Sequence, residues 1–187
     1  MILTLENFII TCLFALYFMI PAYFSNVSGL AFGGTHPIDF GKNFIDNRRI
    51  IGDGATWEGL IAGTIIGTIV GIIQGFIGPF LIEFNITNIV PLVTTIDQGL
   101  LVGFLLGFGA LLGDACGSFI KRRLNIDRGK PAPLLDQLDL VVGSLVLGSI
   151  VFSFNIPFII IVCALTLVLH LFTNIFAYLL GIKDVWY

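Results

Sequence analysis

The chain has 187 residues, 57% of them hydrophobic and 11% charged, with a formal net charge of −3 and a mean hydropathy of +1.02. Soluble domains carry about a quarter charged residues, so this composition excludes a water-facing globular surface and leaves no room for a separate soluble domain. The expected partners are membrane lipid and small molecules, with no nucleic acid among them.

A transmembrane helix needs ~20 mostly apolar residues, and the chain offers several in order. The first span covers residues 4–24, with Pro21 near its end as a kink or a stop. It lacks a basic leader and a small-residue cleavage site, which reads as a retained helix rather than a signal peptide. A polar loop, residues 25–56, follows; it is rich in Gly, Asn and Asp and holds three basic and three acidic residues. Loops of this length are commonly functional. The second span, 57–82, has Gly59, Gly63, Gly67, Gly71 and Gly75 at every fourth position. That spacing places them on one helix face, where glycine lets another helix approach closely. The third span, 98–120, carries its own series, Gly99, Gly103, Gly107, Gly109, Gly113 and Gly117, and the two stripes are predicted to pack together. A second polar loop, 121–134, comes next. Leu140–Ile182 is a 43-residue stretch without Asp, Glu, Lys or Arg. At ~1.5 Å per residue it is about twice a bilayer core, so it turns once, at Asn155 and Pro157. Spans four and five are then 135–154 and 157–180.

The fold class is therefore an all-α integral membrane protein, five transmembrane helices with two cytoplasmic polar loops, in a single membrane domain over residues 1–187. All nine basic residues fall in the two polar loops and the C-terminal tail. By the positive-inside rule that side is cytoplasmic, which puts the N-terminus outside and the C-terminus inside a cell membrane. Asn85-Ile86-Thr87 is a glycosylation sequon on the outer side, a triplet common by chance. Cys12, Cys116 and Cys163 have no metal or disulfide spacing and read as small packing residues.

Chemistry concentrates at the third span's exit, Gly113 to Asp139. Asp114, Ser118 and Lys121 or Arg122 share one helix face. An intramembrane carboxylate is a functional hypothesis by default; the competing reading is an ion pair of Asp114 with Lys121 or Arg122. Asp136 and Asp139 also share a face, either as helix caps or, with Asp114, as an oxygen-ligand set for Mg²⁺ alongside substrate phosphates. The five basic residues from Lys121 to Lys130 would give phosphate a cationic wall. In the first loop, Arg48 and Arg49 precede the tight turn Gly52-Asp53-Gly54. Thr56 then caps span two, whose N-terminus would face an anion. Topological anchoring explains the arginines equally, but not the turn. His36 and His170 are read as a loop residue and a packing residue, without catalytic tasks.

Gly113-Asp114, Ser118, Lys121-Arg122 and Asp136-x-x-Asp139 together resemble the signature of membrane CTP:phosphatidate cytidylyltransferases, and more closely that of their archaeal relatives, the CDP-archaeol synthases. The first loop is similar as well: Pro37-Ile38-Asp39-x-Gly41, Arg48-Arg49-Ile50-x-Gly52-Asp53-Gly54 and Thr56-Trp57. The resemblance runs in order over essentially the whole chain. The sequence departs from it at Ala55, where family members often have lysine, and at Glu58, where they often have arginine. Leu134-Leu135 stand before Asp136 in place of the bacterial His-Gly-Gly, which favours the archaeal branch. The resemblance implies that an isoprenoid diether glycerol phosphate attacks the α-phosphorus of CTP, releasing pyrophosphate. Mg²⁺ would sit on Asp114, Asp136 and Asp139, and Lys121, Arg122 and Arg123 would offset phosphate charge. Arg48, Arg49, Asp53 and Thr56, with Ser118, would hold the nucleotide. The alternatives are a bacterial-type phosphatidate cytidylyltransferase, a CDP-alcohol phosphotransferase, whose longer motif is missing here, and a small transporter. Spans two and five lack the polar breaks that transport would need.

Overall fold

The structure is a computed structural model that describes residues 4–85, 87, 89–127, 130–179 and 181. Its helices are α1 (Leu5–Ala31), α2 (Trp57–Ile77), α3 (Ile96–Arg123), α4 (Leu135–Gly148) and α5 (Ile156–Leu179), and a 3-10 segment, Gly78–Phe84, extends α2. There is no extended strand among the described residues, so the all-α expectation holds. Three helices begin with the same device. The hydroxyls of Thr4, Thr56 and Thr95 accept hydrogen bonds from the backbone N–H groups of Asn7, Gly59 and Gln98 at 3.2–3.3 Å. Asn155 does the same for α5, its carboxamide oxygen accepting from Phe158 N at 2.9 Å, which makes the turn where Asn155 and Pro157 predict it.

Four elements are long and apolar enough to cross a membrane: α1, α2 with its extension, α3 and α5. The fourth, α4, has only 14 residues, about 21 Å of helix. The predicted helical span 135–154 is thus helical only to Gly148, and the chain continues through a turn to Asn155. Asn155 Nδ2 donates to Ile89 O at 2.9 Å, which joins the α4–α5 turn to the α2–α3 connection. The fourth segment therefore still runs between the two ends of the bundle.

Glycine sets the packing. A Cβ on Gly67 would lie 3.0 Å from Gly107 Cα, and Cβ atoms on Gly71 or Gly103 would collide with the opposite backbone. The two stripes meet as predicted. The first turns of the α2 stripe pack instead on α1, where Gly59 and Gly63 face Gly29 and Ser25. A further face of α3, at Gly109, Gly113 and Gly117, takes α4 through Gly143, Ser144, Leu140 and Asp139. Ser25 Oγ donates to Gly107 O and Ser144 Oγ to Leu106 O, each at 2.9 Å, so buried hydroxyls bind neighbouring helices. At the far end, Phe18 meets Phe152, Phe154 and Phe158 edge-on with centroids 5.5–5.8 Å apart.

Pro21 does not end the first helix, which runs to Ala31 rather than Phe24. Proline has no N–H for the carbonyl four residues back, here that of Tyr17. Gln74 of α2 donates its side-chain amide to Tyr17 O, and Tyr17 OH donates to Gln74 O at 3.3 Å. The broken ladder is thus repaired by a neighbouring helix, as membrane proline requires. Asn85 is buried and donates to Val90 O at 2.9 Å, a structural task within the sequon; Ile86 lies outside the described residues.

Gly71→Leu should drive a side chain into the α3 backbone, a strain of at least about 3 kcal/mol, and lower the yield of monodisperse protein in detergent. Gly54→Ala, whose Cβ meets nothing within 4 Å, should leave size-exclusion profile and thermal midpoint unchanged. A monodisperse Gly71→Leu protein with the wild-type midpoint would show that the α2–α3 contact is loose.

Candidate functional site

The first loop is a small ordered unit, and because α1 runs to Ala31 it begins near Phe32 rather than at residue 25. It is built around Asp39, whose side chain is fully buried. The Asp39 carboxylate accepts from Gly41 N, Ile51 N and Gly52 N at 2.8–3.0 Å and from Arg49 Nη2 at 2.7 Å. Burial alone would raise the Asp39 carboxyl, but Arg49 and these backbone donors outweigh it and hold it well below the usual carboxylate range. Gly41 and Gly52 have φ of +76° and +112°, so the backbone that wraps the carboxylate needs glycine. Arg49 Nη2 also pairs with Asp53 Oδ1 at 2.7 Å. Arg49 and Asp53, expected to hold nucleotide, are therefore first of all parts of the loop's frame.

Thr56 has a similar double task. Its hydroxyl accepts from Gly59 N and from Gly34 N at 3.1–3.2 Å. Trp57 N donates to His36 O. Glu58 accepts from Thr35 N and His36 N and pairs with the His36 ring. The start of α2 is thus occupied by the chain's own groups rather than turned toward an anion. His36 is a loop residue, as expected, and latches the loop onto the start of α2.

The loop docks on the end of α3 through arginine and carbonyl groups. Arg48 Nη1 donates to the carbonyls of Arg122 and Arg123 at 3.3 Å. In return, Arg123 Nη2 donates to Arg49 O at 2.6 Å and Arg122 Nε to Ile51 O at 3.2 Å. Arg123 also faces Asp46 at 3.0 Å and lies 4.8–5.0 Å over the rings of Phe44 and Phe119. Lys121, Arg122 and Arg123 are helical, in the last turn of α3, where cations complement the helix dipole. The polar loop expected at 121–134 accordingly begins at Leu124. Arg128 and Lys183 lie outside the described residues.

The carboxylates divide differently from the ion pair considered for Asp114. Lys121 Nζ pairs with Asp136 Oδ1 at 2.8 Å, and Asp136 Oδ2 accepts from Ala132 N at 2.9 Å. Neither Asp136 nor Asp139 caps α4, whose preceding residue Leu134 has φ +68° and no side-chain cap. Asp139 lies against Gly117, with one oxygen accepting from Leu140 N. Asp114 makes no ion pair or hydrogen bond with a described residue, and neither does the hydroxyl of Ser118. Asp114, Asp136, Asp139 and Lys121 are close enough to feel one another's charge. Among the described residues no three His, Cys, Asp or Glu side chains are gathered as a ready cage for one ion. The free Asp114 and half-free Asp139 suit Mg²⁺, which typically takes one or two carboxylates and completes its shell with substrate phosphates and water.

Hollows open around this end among the described residues. A polar cleft of about 390 Å³ has Arg48, Arg49, Asp53 and Arg122 on its walls. A narrower cavity of about 240 Å³ joins Asp114 to Asn26, Gly54, Ala55 and Thr56. An apolar groove of about 740 Å³ between α3 and α4 has Asp139 part-way along its wall. The strip Gly52–Thr56 separates the first two.

The profile of the CarS-like CDP-archaeol synthase family matches residues 7–187. The chain belongs to that family. CDP-archaeol synthases of Methanothermobacter thermautotrophicus and Methanocaldococcus jannaschii are 58% and 54% identical over 179 and 173 residues, covering 96% and 92% of this chain and 96% of each relative. A solved structure of an intramembrane enzyme for archaeal membrane lipid biosynthesis superposes with a TM-score of 0.72 at 36% identity, covering 86% of this chain and 92% of that one. The family expected from the loop and α3 motifs is the family found, and it is a family of membrane enzymes.

Asp39 is the residue that sequence reasoning left out of the site. Its one signal was the Pro-Ile-Asp-x-Gly run, which reads as a turn until the fold surrounds it with donors. Asp39→Asn should cost about 3 kcal/mol by leaving Arg49 and three amides facing a neutral group. A carboxyl held low when folded stabilises fully above its unfolded pKa of ~3.9 and loses that contribution as pH falls further. The gap in thermal midpoint between wild type and Asp39→Asn should thus be constant from pH 5 to 8 and narrow below about pH 4. An equal midpoint at neutral pH would remove Asp39 from the frame.

Proposed function

We propose that this chain is a CTP-dependent nucleotidyltransferase that moves CMP from CTP to an archaeal diether lipid phosphate, giving CDP-archaeol and pyrophosphate. The observation that carries the reading is likeness to CDP-archaeol synthases over nearly the whole chain, 58% identical across 179 residues in one relative. The geometry supports it with arginines, unpaired carboxylates and an apolar groove gathered at one end of a membrane bundle.

A phosphate monoester has a second pKa near ~6 and is largely dianionic at neutral pH. The acceptor needs no dedicated base, and the barrier is the approach of two anions. Lys121 and Arg122 border the carboxylates and the arginine cleft, and they reduce that repulsion. Arg48 and Arg49 line the cleft with guanidinium edges while their remaining N–H groups brace the loop, so the nucleotide's phosphates meet a wall that is already rigid. Asp114 and Asp139 are the residues that would hold Mg²⁺, with Asp136 joining them on leaving Lys121. The ion would supply charge neutralisation between phosphate oxygens. The lipid chains lie along the apolar helix walls, and the end that carries the arginines is cytoplasmic by the positive-inside rule, with the N-terminus outside and the C-terminus inside.

The test is purified protein in detergent with labelled CTP, Mg²⁺ and diether or diester lipid phosphates. Labelled diether lipid and one pyrophosphate per turnover are expected, both abolished by chelation. Folded protein that labels no diether lipid would sink the assignment, and label in diester phosphatidate alone would move it to the bacterial type. Asp114→Asn and Asp139→Asn should each lower kcat/KM by at least about a hundredfold while the thermal midpoint holds. Wild-type turnover in either variant would exclude that residue from the metal site.

A further inference from the structure

Asn26 is a polar residue that no step above uses. It lies on α1 beyond Pro21, half-buried, and its carboxamide makes no hydrogen bond with a described residue. Thr11, Tyr17, Tyr23 and Ser25 of the same helix each hold a partner. Its carboxamide is partly accessible, so its N–H groups are open to a ligand that enters beside them. Asn26 lines the 240 Å³ cavity together with Asp114, which likewise makes no hydrogen bond or ion pair with a described residue. Two groups left unsatisfied by the protein thus face the same space.

The surroundings say what enters it. Val27 and Leu30 also line the cavity and are 66% and 85% exposed on the outer face of α1, so the opening is toward lipid. The arginine cleft lies across the Gly52–Thr56 strip, where Gly52 and Asp53 border the cleft and Gly54, Ala55 and Thr56 border the cavity. A triphosphate suits the side with the guanidinium groups. A single phosphate carried by a membrane-embedded molecule suits the side that opens between apolar residues. The carboxamide is a fitting donor there, since its N–H groups bind a phosphate oxygen without neutralising Asp114.

We infer that Asn26 is a substrate-contacting residue that positions the phosphate of the lipid acceptor. The inference rests on the proposed transferase reaction and goes further by assigning each substrate to its own side of the Gly52–Thr56 strip. The experiment measures turnover with lipid phosphate and CTP varied separately, for wild type, Asn26→Ala and the isosteric Asn26→Asp. Calorimetric binding of CTP with Mg²⁺ reports folding of each variant. Loss of a hydrogen bond to a charged oxygen should raise the lipid KM roughly ten- to a hundredfold in Asn26→Ala and more in Asn26→Asp, which adds repulsion. The KM and binding constant for CTP should stay within about twofold. A lipid KM unchanged in both variants, or a rise confined to CTP, would overturn the inference. Should Asn26→Ala fail to bind CTP, Asn26→Asp, matched in size, decides alone. Wild-type protein inactive on every lipid phosphate would instead defeat the transferase reading itself, before any variant is compared.

Discussion

Helix α3 can touch its neighbours backbone to backbone because its interfaces are made of glycine. Gly99, Gly103 and Gly107 take α2, while Gly109, Gly113 and Gly117 take α4. Apolar side chains gain little by leaving lipid for protein, so close approach and carbonyl contacts must supply the attraction. Asp114 and Asp139 are brought to the same end of the bundle by this packing: one projects from α3 itself, and the other rests on Gly117 from the helix pressed against it. Bulk at Gly113 or Gly117, where α4 rests on α3, would move the two carboxylates apart.

The polar end follows a different rule. Few of its arginines are simply free cations. Arg48, Arg122 and Arg123 spend donors on carbonyls across the loop–helix joint, and Arg49 spends them on Asp39 and Asp53. A guanidinium has five donors in a fixed fork, so it can brace the backbone with one edge and present another to a ligand. Lysine could not divide its tasks in this way. The rigid frame and the wall of the polar cleft are thus made from the same residues.

Much of this was legible in the sequence. Glycine at every fourth position in uncharged stretches has few readings besides helix contact, and Thr56 before Trp57 marks a helix start. Asn155 and Pro157 mark a turn. The paired carboxylates and the first-loop motifs carried the family. What could not be read was how far tertiary contacts override local signals. Ser25 and Ser28 look like loop residues, yet both are buried in a continuing α1. The carbonyl partners of the arginines were hidden, because a guanidinium at a carbonyl and one at a phosphate have the same sequence. Asp39 required the folded loop before its carboxylate could be recognised as the centre of that loop. The shortness of α4 was hidden because Ser149–Phe154 is as apolar as a helix would be.

The exchange between Tyr17 and Gln74 has a bearing on movement. Each residue satisfies the other's backbone carbonyl, so α1 and α2 are keyed at a single height in the membrane. Slipping by one helical turn, ~5.4 Å, would strand the carbonyl freed by Pro21 and the amide of Gln74 together in a dry interface. Sliding of these two helices is therefore closed as a route for admitting a bulky substrate. Helix α5 is held less deeply: it is the least buried of the four long spans, and the hydroxyl pair of Tyr23 and Thr166 joins it to α1. If the bundle must breathe to let a long-chain lipid pass, the hinge belongs to α5, and the first three helices act as the fixed post on which it swings.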